Sequence, residues 1–470
     1  MQTTVKAVEF YVREMPMRMP FKFGNVTIDS QTALHVAMDV ELADGRSARG
    51  WAADMLAPSW FDKDPDKPTA QKARELVAGA QVAAEAYCAA GADTAFGLWR
   101  AGYAAGKAWG TERGVNLLLA SNGGALMERA LLDALGLALG QSYFELLQGD
   151  LLGTDFAAIH PELAGVAPGD VLPAAPLQAL HIRHTVGLVD PLSTADIAPA
   201  ERLDDGLPQS LEEYVADQGV RYLKIKIGGD PQADYERLAA IAALIDGLDC
   251  RITLDGNEQY RDAGDLLVLL ERLEAHCAAL YGQMIYIEQP LDRAISLDPA
   301  LAKDIRALAD RRPMLIDEAD EELDTFRRAL DLGYTGVSSK SCKGLTKALA
   351  NFALCQHLDA GRYFVSAEDL TTVPVVSLHQ DLVHVAALGV DHLERNGHHY
   401  IRGLDHLSAR ERGRCLAEHG DLYRAAGNSG FMDIREGRIA IGSLQVPGMG
   451  IGGIVDAGAM RPLASWLEEN

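Results

Sequence analysis

The sequence predicts an α/β fold in which an N-terminal α+β region precedes a closed barrel of parallel strands. After residue 220, short strand-like runs (YLKIKI, RITLD, MIYIE, PMLID, TGVSSK, YFVSA) alternate with helical segments such as ADYERLAAIAALI and LTKALANFALCQHL. Strands that alternate with helices argue for a parallel sheet. A run at 177–184 and a weaker one near 390–394 bring the strand count to eight, which is that of a closed α/β barrel. The doubly wound open sheet is the competitor, but no GxGxxG joins a strand to a helix.

Earlier in the chain, KAVEFYVREM and ALHVAMDVEL alternate apolar and polar residues, and ADG at 43–45 marks a hairpin turn. From about 71 to 148 the texture becomes Ala/Leu-rich with helical periodicity. The stretch 149–210 reads as connections around one short strand, LQALHIRHTV. The Gly-rich tail IAIGSLQVPGMGIGGIVD is again strand and turn, which predicts a return to the N-terminal region.

The chain has 470 residues, 48% hydrophobic and 23% charged, an ordinary globular balance. A formal net charge of -24 repels phosphate backbones and anionic lipid, so nucleic acid and membrane surfaces are excluded as expected partners. Six cysteines lie far apart without CxxC or zinc spacing and read as reduced thiols of a cytoplasmic protein. The N-terminus has no apolar core of signal-peptide length, and no stretch has the ~18 apolar residues of a span. Symmetric assembly is the general expectation, so a homo-oligomer is predicted.

Lys226, Asp255, Glu288, Asp317, Lys340 and Glu368 each fall at or beside the C-terminal end of a strand run, spaced by 29, 33, 29, 23 and 28 residues. That is about one βα unit each. Strand C-termini meet at one mouth of a parallel barrel, where active sites are built, so six ionisable groups converge there. Asp255, Glu288 and Asp317 sit on consecutive strands. Three hard oxygen donors suit Mg²⁺, although one of them pairing with a lysine is the alternative. Lys224 and Lys226 are two apart in a strand and share a face. Side by side they are expected to lower each other's pKa, toward the neutral range a general base needs. Lys340 ends the sixth strand, across the barrel from the second, with Lys343 as its rival.

These residues resemble the motifs of the enolase superfamily. YLKIKIGGDPQADYERL is similar to its second-strand KxK, TLDGNEQY to its third-strand DxN, YIEQPL to its fourth-strand EQP, LIDEAD to the fifth-strand pair and GVSSKSCKGLTKAL to the sixth-strand lysine segment. FKFG with ELADGRSARGW resembles the N-terminal capping domain, and MGIGGIVD the closing Gly-rich strand. The resemblance implies a capping domain (1–150), a modified TIM barrel, (β/α)7β (151–430), and a C-terminal segment (431–470) returning to the cap. It implies Asp255, Glu288 and Asp317 as Mg²⁺ ligands, Lys226 and Lys340 as acid/base groups, and Lys224 contacting the substrate carboxylate and tuning Lys226. Among further substrate contacts are expected Asn257 of the DxN run, Glu368, His184 near the end of strand one, and Phe23 and Trp60, with Phe21, from the cap.

Lysines on strands two and six are similar to the muconate cycloisomerase subgroup. Strand seven ends in SAED, without the His of the racemase–dehydratase dyad. The implied activity is abstraction of the α-proton of a small-molecule carboxylate to a metal-stabilised enediolate, by a racemase, epimerase or cycloisomerase. A lyase on the same scaffold and a non-catalytic binding protein are the alternatives. The chain departs from the subgroup in extra length around 56–120 and 150–215 and in a His-rich neighbourhood of strand eight. There, His392, His398 and His399 either line the site or cap a loop.

Overall fold

Alternating apolar residues in the first 55 positions build an antiparallel sheet of β1 (Thr3–Phe23), β2 (Val26–Leu42) and β3 (Ser47–Met55). Val5 pairs with Val40 and Val12 with Leu34, so the buried members share one face. The computed structural model describes residues 1–23 and 26–469, apart from the side chains of Phe23, Val26, Asp29 and Ser30. The β1–β2 hairpin runs beyond the KAVEFYVREM pattern. Its register shifts between Pro16 and Phe21 and then resumes with Phe21 opposite Ile28. Prolines at 16 and 20, which cannot donate to a ladder, disguise this distal half in the sequence.

Three helices, α1 (Thr69–Ala89), α2 (Ala95–Arg113) and α3 (Leu117–Leu139), follow the sheet. α3 is buried from Leu118 to Gly136, as a helix apolar nearly all round must be. It lies so close to the sheet that a Cβ on Gly50 would fall 2.2 Å from the Ala130 carbonyl oxygen. Its polar residues act as fasteners. Asp133 accepts from Trp51 N at 3.0 Å and Met449 N at 2.9 Å, and Arg129 pairs with Asp54. Glu128 accepts from Leu345 N and Thr346 N, at the start of the helix Leu345–Asp359.

The barrel consists of β4 (Ala179–Val186), β5 (Tyr222–Lys226), β6 (Arg251–Asp255), β7 (Met284–Glu288), β8 (Met314–Ile316), β9 (Gly336–Ser339), β10 (Phe364–Ala367) and β11 (His392–Arg395). All eight are parallel neighbours in chain order, and β11 pairs with β4 to close the ring. Leu223 and Ile225 of β5 are buried against the outer layer, which turns Tyr222, Lys224 and Lys226 inward. After the barrel, Arg438–Ala440 pairs antiparallel with β4, and Arg461–Pro462 pairs with β1. The chain therefore ends on the sheet where it began. Among the described residues, no helix is long and apolar enough to cross a membrane.

Candidate active site

The barrel interior is ionic where such barrels are ordinarily filled by branched apolar side chains. Arg183 and Thr185 of β4 point inward. Arg183 donates to Glu368 Oε1 at 2.7 Å and to Thr253 Oγ1 at 3.2 Å, and Thr185 donates to Glu394 at 2.8 Å. Lys224 is 0% exposed, and its ammonium lies 2.7–2.9 Å from carboxylate oxygens of Asp255, Glu288, Glu368 and Glu394. Tyr286 adds a hydrogen bond to Glu368 at 2.8 Å. At the floor, Tyr222 stacks between His181 and His392, with centroids 4.9 and 5.0 Å away.

Above this layer lie the strand-end groups. Lys226 Nζ donates to Asp255 Oδ2 at 2.5 Å, and Asp255 Oδ1 accepts from Asn257 N at 2.9 Å. Lys340 Nζ donates to Asp317 Oδ2 at 2.5 Å, and Ser338 Oγ donates to Asp317 Oδ1. Lys340 also stands over the Trp60 ring, 4.4 Å from its centroid, a cation–π contact. Lys226, Lys340, Asn257 and Trp60 line one pocket, together with Phe21, Ile28 and Gln31 of the cap and Thr371, Glu394 and Asn396 of the barrel. The pocket leaves only ≈ 30 Å³ for the centres of water-sized spheres, room for about two waters.

The electrostatics follow from burial and from which cation each acid meets. Burial and the charges of Asp255, Glu368 and Asp317 push Glu288 well above the carboxylate range. Burial works the same way on Asp255 and Asp317. There it is outweighed by Lys224, Lys226 and Lys340 around Asp255 and by Lys340, Lys343 and Lys224 around Asp317, so both lie low. Four positive-φ residues other than glycine cluster at strand ends and the adjoining loops: Asn257 (40°), Glu258 (70°), Gln289 (31°) and Thr371 (58°). Strained backbone of this kind is characteristic of functional sites.

Several expectations need correction. Lys224 does not line the pocket, and its own pKa is not lowered. Its desolvation is outweighed by four carboxylates, which hold its own pKa well above the usual value. Glu368 lies in the same buried layer, engaged by Arg183, Lys224 and Tyr286, and is not at the mouth. His184 points outward, because Arg183 and Thr185 on either side of it point in. It packs against Tyr214 at 4.1 Å and against His398 and His399. His398 and His399 lie behind the strand in the short turn Gly397–Tyr400, and none of the three strand-eight histidines lines the pocket. The side chain of Phe23 lies outside the described residues. Of the two sixth-strand lysines, Lys340 faces the pocket, while Lys343 is spent on Ser338, Asp320 and the Asp317 carbonyl. Sequence reasoning missed Arg183, Glu394, Gln31 and Asn396.

Asp255, Glu288 and Asp317 end three adjacent strands and offer only oxygen, the donor set Mg²⁺ prefers. Glu288 Oε2, though 2.7 Å from the Lys224 ammonium, receives no properly directed hydrogen bond, and the neighbouring Glu318 Oε2 has no partner. Those spare acceptors and the excess of acids fit a divalent cation. Among the described residues, however, no three acidic, His or Cys side chains already stand at ligand spacing.

Residues 206–415 match the family model described as enolase C-terminal domain-like. No protein of curated function matches the chain. Solved structures share the fold over nearly the whole length. Muconate lactonizing enzyme from Pseudomonas fluorescens, complexed with muconolactone, is 17% identical with a TM-score of 0.59, covering 97% of this chain and 98% of that one. N-succinyl Arg/Lys racemase from Bacillus cereus is 16% identical with a TM-score of 0.61, covering 100% and 98%. An enolase from Bradyrhizobium, complexed with magnesium and mandelic acid, is 14% identical with a TM-score of 0.60, covering 96% of each chain.

Proposed function

We propose that the protein, whose residues 206–415 match the enolase C-terminal domain-like family model, is an enzyme that removes the α-proton of a small-molecule carboxylate, most simply a racemase, epimerase or cycloisomerase. One observation carries this reading: Lys226 from the second barrel strand and Lys340 from the sixth enter a single pocket, each hydrogen-bonded at 2.5 Å to an acid at a strand end. Two ammonium groups from opposite sides of a barrel can attend the two faces of one substrate carbon. One lysine, as the neutral amine, takes the α-proton, and the other, as the ammonium, gives a proton of its own to the opposite face; for the opposite enantiomer the two roles exchange. Asp255, Glu288 and Asp317 would hold Mg²⁺. When bound, it supplies Lewis-acid polarisation of the substrate carboxylate and so makes the α-proton acidic.

The remaining residues keep this pair in place. Trp60 covers Lys340 and excludes water. Lys224, locked among four carboxylates, fixes the spacing of strands β5, β6 and β7 beneath the reacting groups. The pocket's enclosure by the cap strengthens every charge interaction inside it. Incubation with Mg²⁺ and pooled carboxylates in D₂O tests the reading. Mass gains of one that EDTA abolishes are expected, whereas loss of water or ammonia would assign a lyase.

A further inference from the structure

Two uncharged amides reach the pocket away from the three strand-end acids. Gln31 comes from β2 in the cap. Asn396 follows β11, which lies diametrically across the ring from β7 and its Glu288. Gln31 is 7% exposed and Asn396 2%, yet among the described residues Gln31 Oε1 and Asn396 Oδ1 receive no hydrogen bond. A third pocket amide, Asn257, also has an unpartnered Oδ1, and its orientation is fixed because its Nδ2 donates to Glu318 at 2.9 Å. A buried acceptor left unpaired is costly, and that cost is recovered if a ligand brings the missing hydrogen.

The lining on that side is acidic, and its acids already hold the cations beside them. Asp369 and Glu394 border the pocket there. The nearby cation, Arg395, has its guanidinium committed to Asp381, Asp369, Thr372 and the Glu394 carbonyl. Lys226 and Lys340 are the lysines of the lining, and the proposed chemistry occupies both. A second carboxylate placed at β10 and β11 would therefore be desolvated beside two acids without a free counter-ion, which is costly.

We propose that the pocket selects a monocarboxylate whose remote end presents N–H or O–H donors and carries no second negative charge, with Gln31 and Asn396 as the acceptors. This rests on the proton-abstraction reading for the near end of the substrate. The remote end is assigned by the unpaired amides alone.

The test is calorimetric titration, in Mg²⁺, with succinamate, glutaramate and adipamate, each against its diacid and its methyl-terminated isostere. At the best chain length the amide is expected to bind about tenfold or more tightly than either analogue, the discrimination of a pocket built to hydrogen-bond. Asn396→Leu and Gln31→Leu should erase the advantage over the isostere. Asn396→Gln, which keeps an uncharged amide acceptor in place, should retain it, and unchanged thermal melts of the two Leu variants separate a lost hydrogen bond from a lost fold. A diacid that binds best, an amide preference that survives both Leu variants, or no binding by any amide overturns the assignment. Amide preference without α-deuterium exchange supports the assignment and overturns the proton-abstraction reading alone.

Discussion

Lys224 Nζ stands 2.7 Å from Glu288 Oε2 and 2.9 Å from Oε1, with both residues 0% exposed. The same ammonium holds Asp255, Glu368 and Glu394, so one cation bridges acids from four strands. Removing one partner of a buried ion pair costs about 3–5 kcal/mol, because the other charge is left without compensation. Lys224→Met is expected to lose at least that much stability in urea unfolding. The double variant Lys224→Met/Glu394→Gln should recover part of it. A Lys224→Met protein as stable as the parent would show that the acids are protonated without their cation.

Lys226→Met and Lys340→Met are each expected to lower turnover by about 10²–10⁴-fold, the range for a positioned acid or base. Both should fold, since Asp255 keeps Lys224, and Asp317 keeps the Ser338 hydroxyl and Lys343. Lys343→Met provides the contrast. Its ammonium bonds Ser338 and Asp320 away from the pocket, so it should lose stability with much smaller loss of activity. Circular dichroism melts alongside steady-state rates distinguish the two behaviours.

The five strand-end groups Lys226, Asp255, Glu288, Asp317 and Lys340 were legible because a barrel repeats one βα unit and brings every strand end to the same mouth. Eight strands and the N-terminal meander were legible for the same reason, since alternation and period are local. What local pattern cannot supply is the phase of a strand whose partner lies far away. In LQALHIRHTV, the histidines at 181 and 184 look more reactive than Arg183. Yet Arg183 enters the ionic interior, and His184 faces the outer layer. That phase is set when β4 pairs with β11, some 200 residues downstream, with His184 opposite Arg395. Gln31 and Asn396 were hidden for a related reason. An amide carries no signature until a packed pocket leaves it unpaired.

Mg²⁺ is expected to bind Asp255, Glu288 and Asp317 and to stabilise the folded chain through mass action. At a hundredfold excess over its dissociation constant, the increment is about 2.7 kcal/mol. Thermal melts with and without EDTA measure it, independently of any substrate. Glu288→Gln keeps the shape of the side chain but removes a charge that Asp255 and Asp317 already disfavour. It should therefore leave the metal-free melting temperature nearly unchanged and abolish the Mg²⁺ increment. An undiminished increment in this variant would place the ion elsewhere.

Acid should unfold the protein early, through its histidines. Burial lowers His184, His379, His384 and His392 to about 3. Each is therefore neutral in the folded chain and takes up a proton only on unfolding. Their contribution to stability is complete above the unfolded value near 6.5 and is lost as pH falls from there toward 3. Each such group costs about 1.4 kcal/mol per pH unit, so the four acting together remove about 11 kcal/mol over two units, comparable to a whole domain's margin. Glu411 adds to the same trend at lower pH: against its burial, Arg13 holds it to about 2, so its share is lost as pH drops below the ordinary glutamate value. The melting temperature should fall steeply between pH 6 and 4.5. His184→Phe, which keeps the packing against Tyr214 without a titrating ring, should flatten that fall. A flat profile in the parent protein would mean that the buried histidines are already charged and paired.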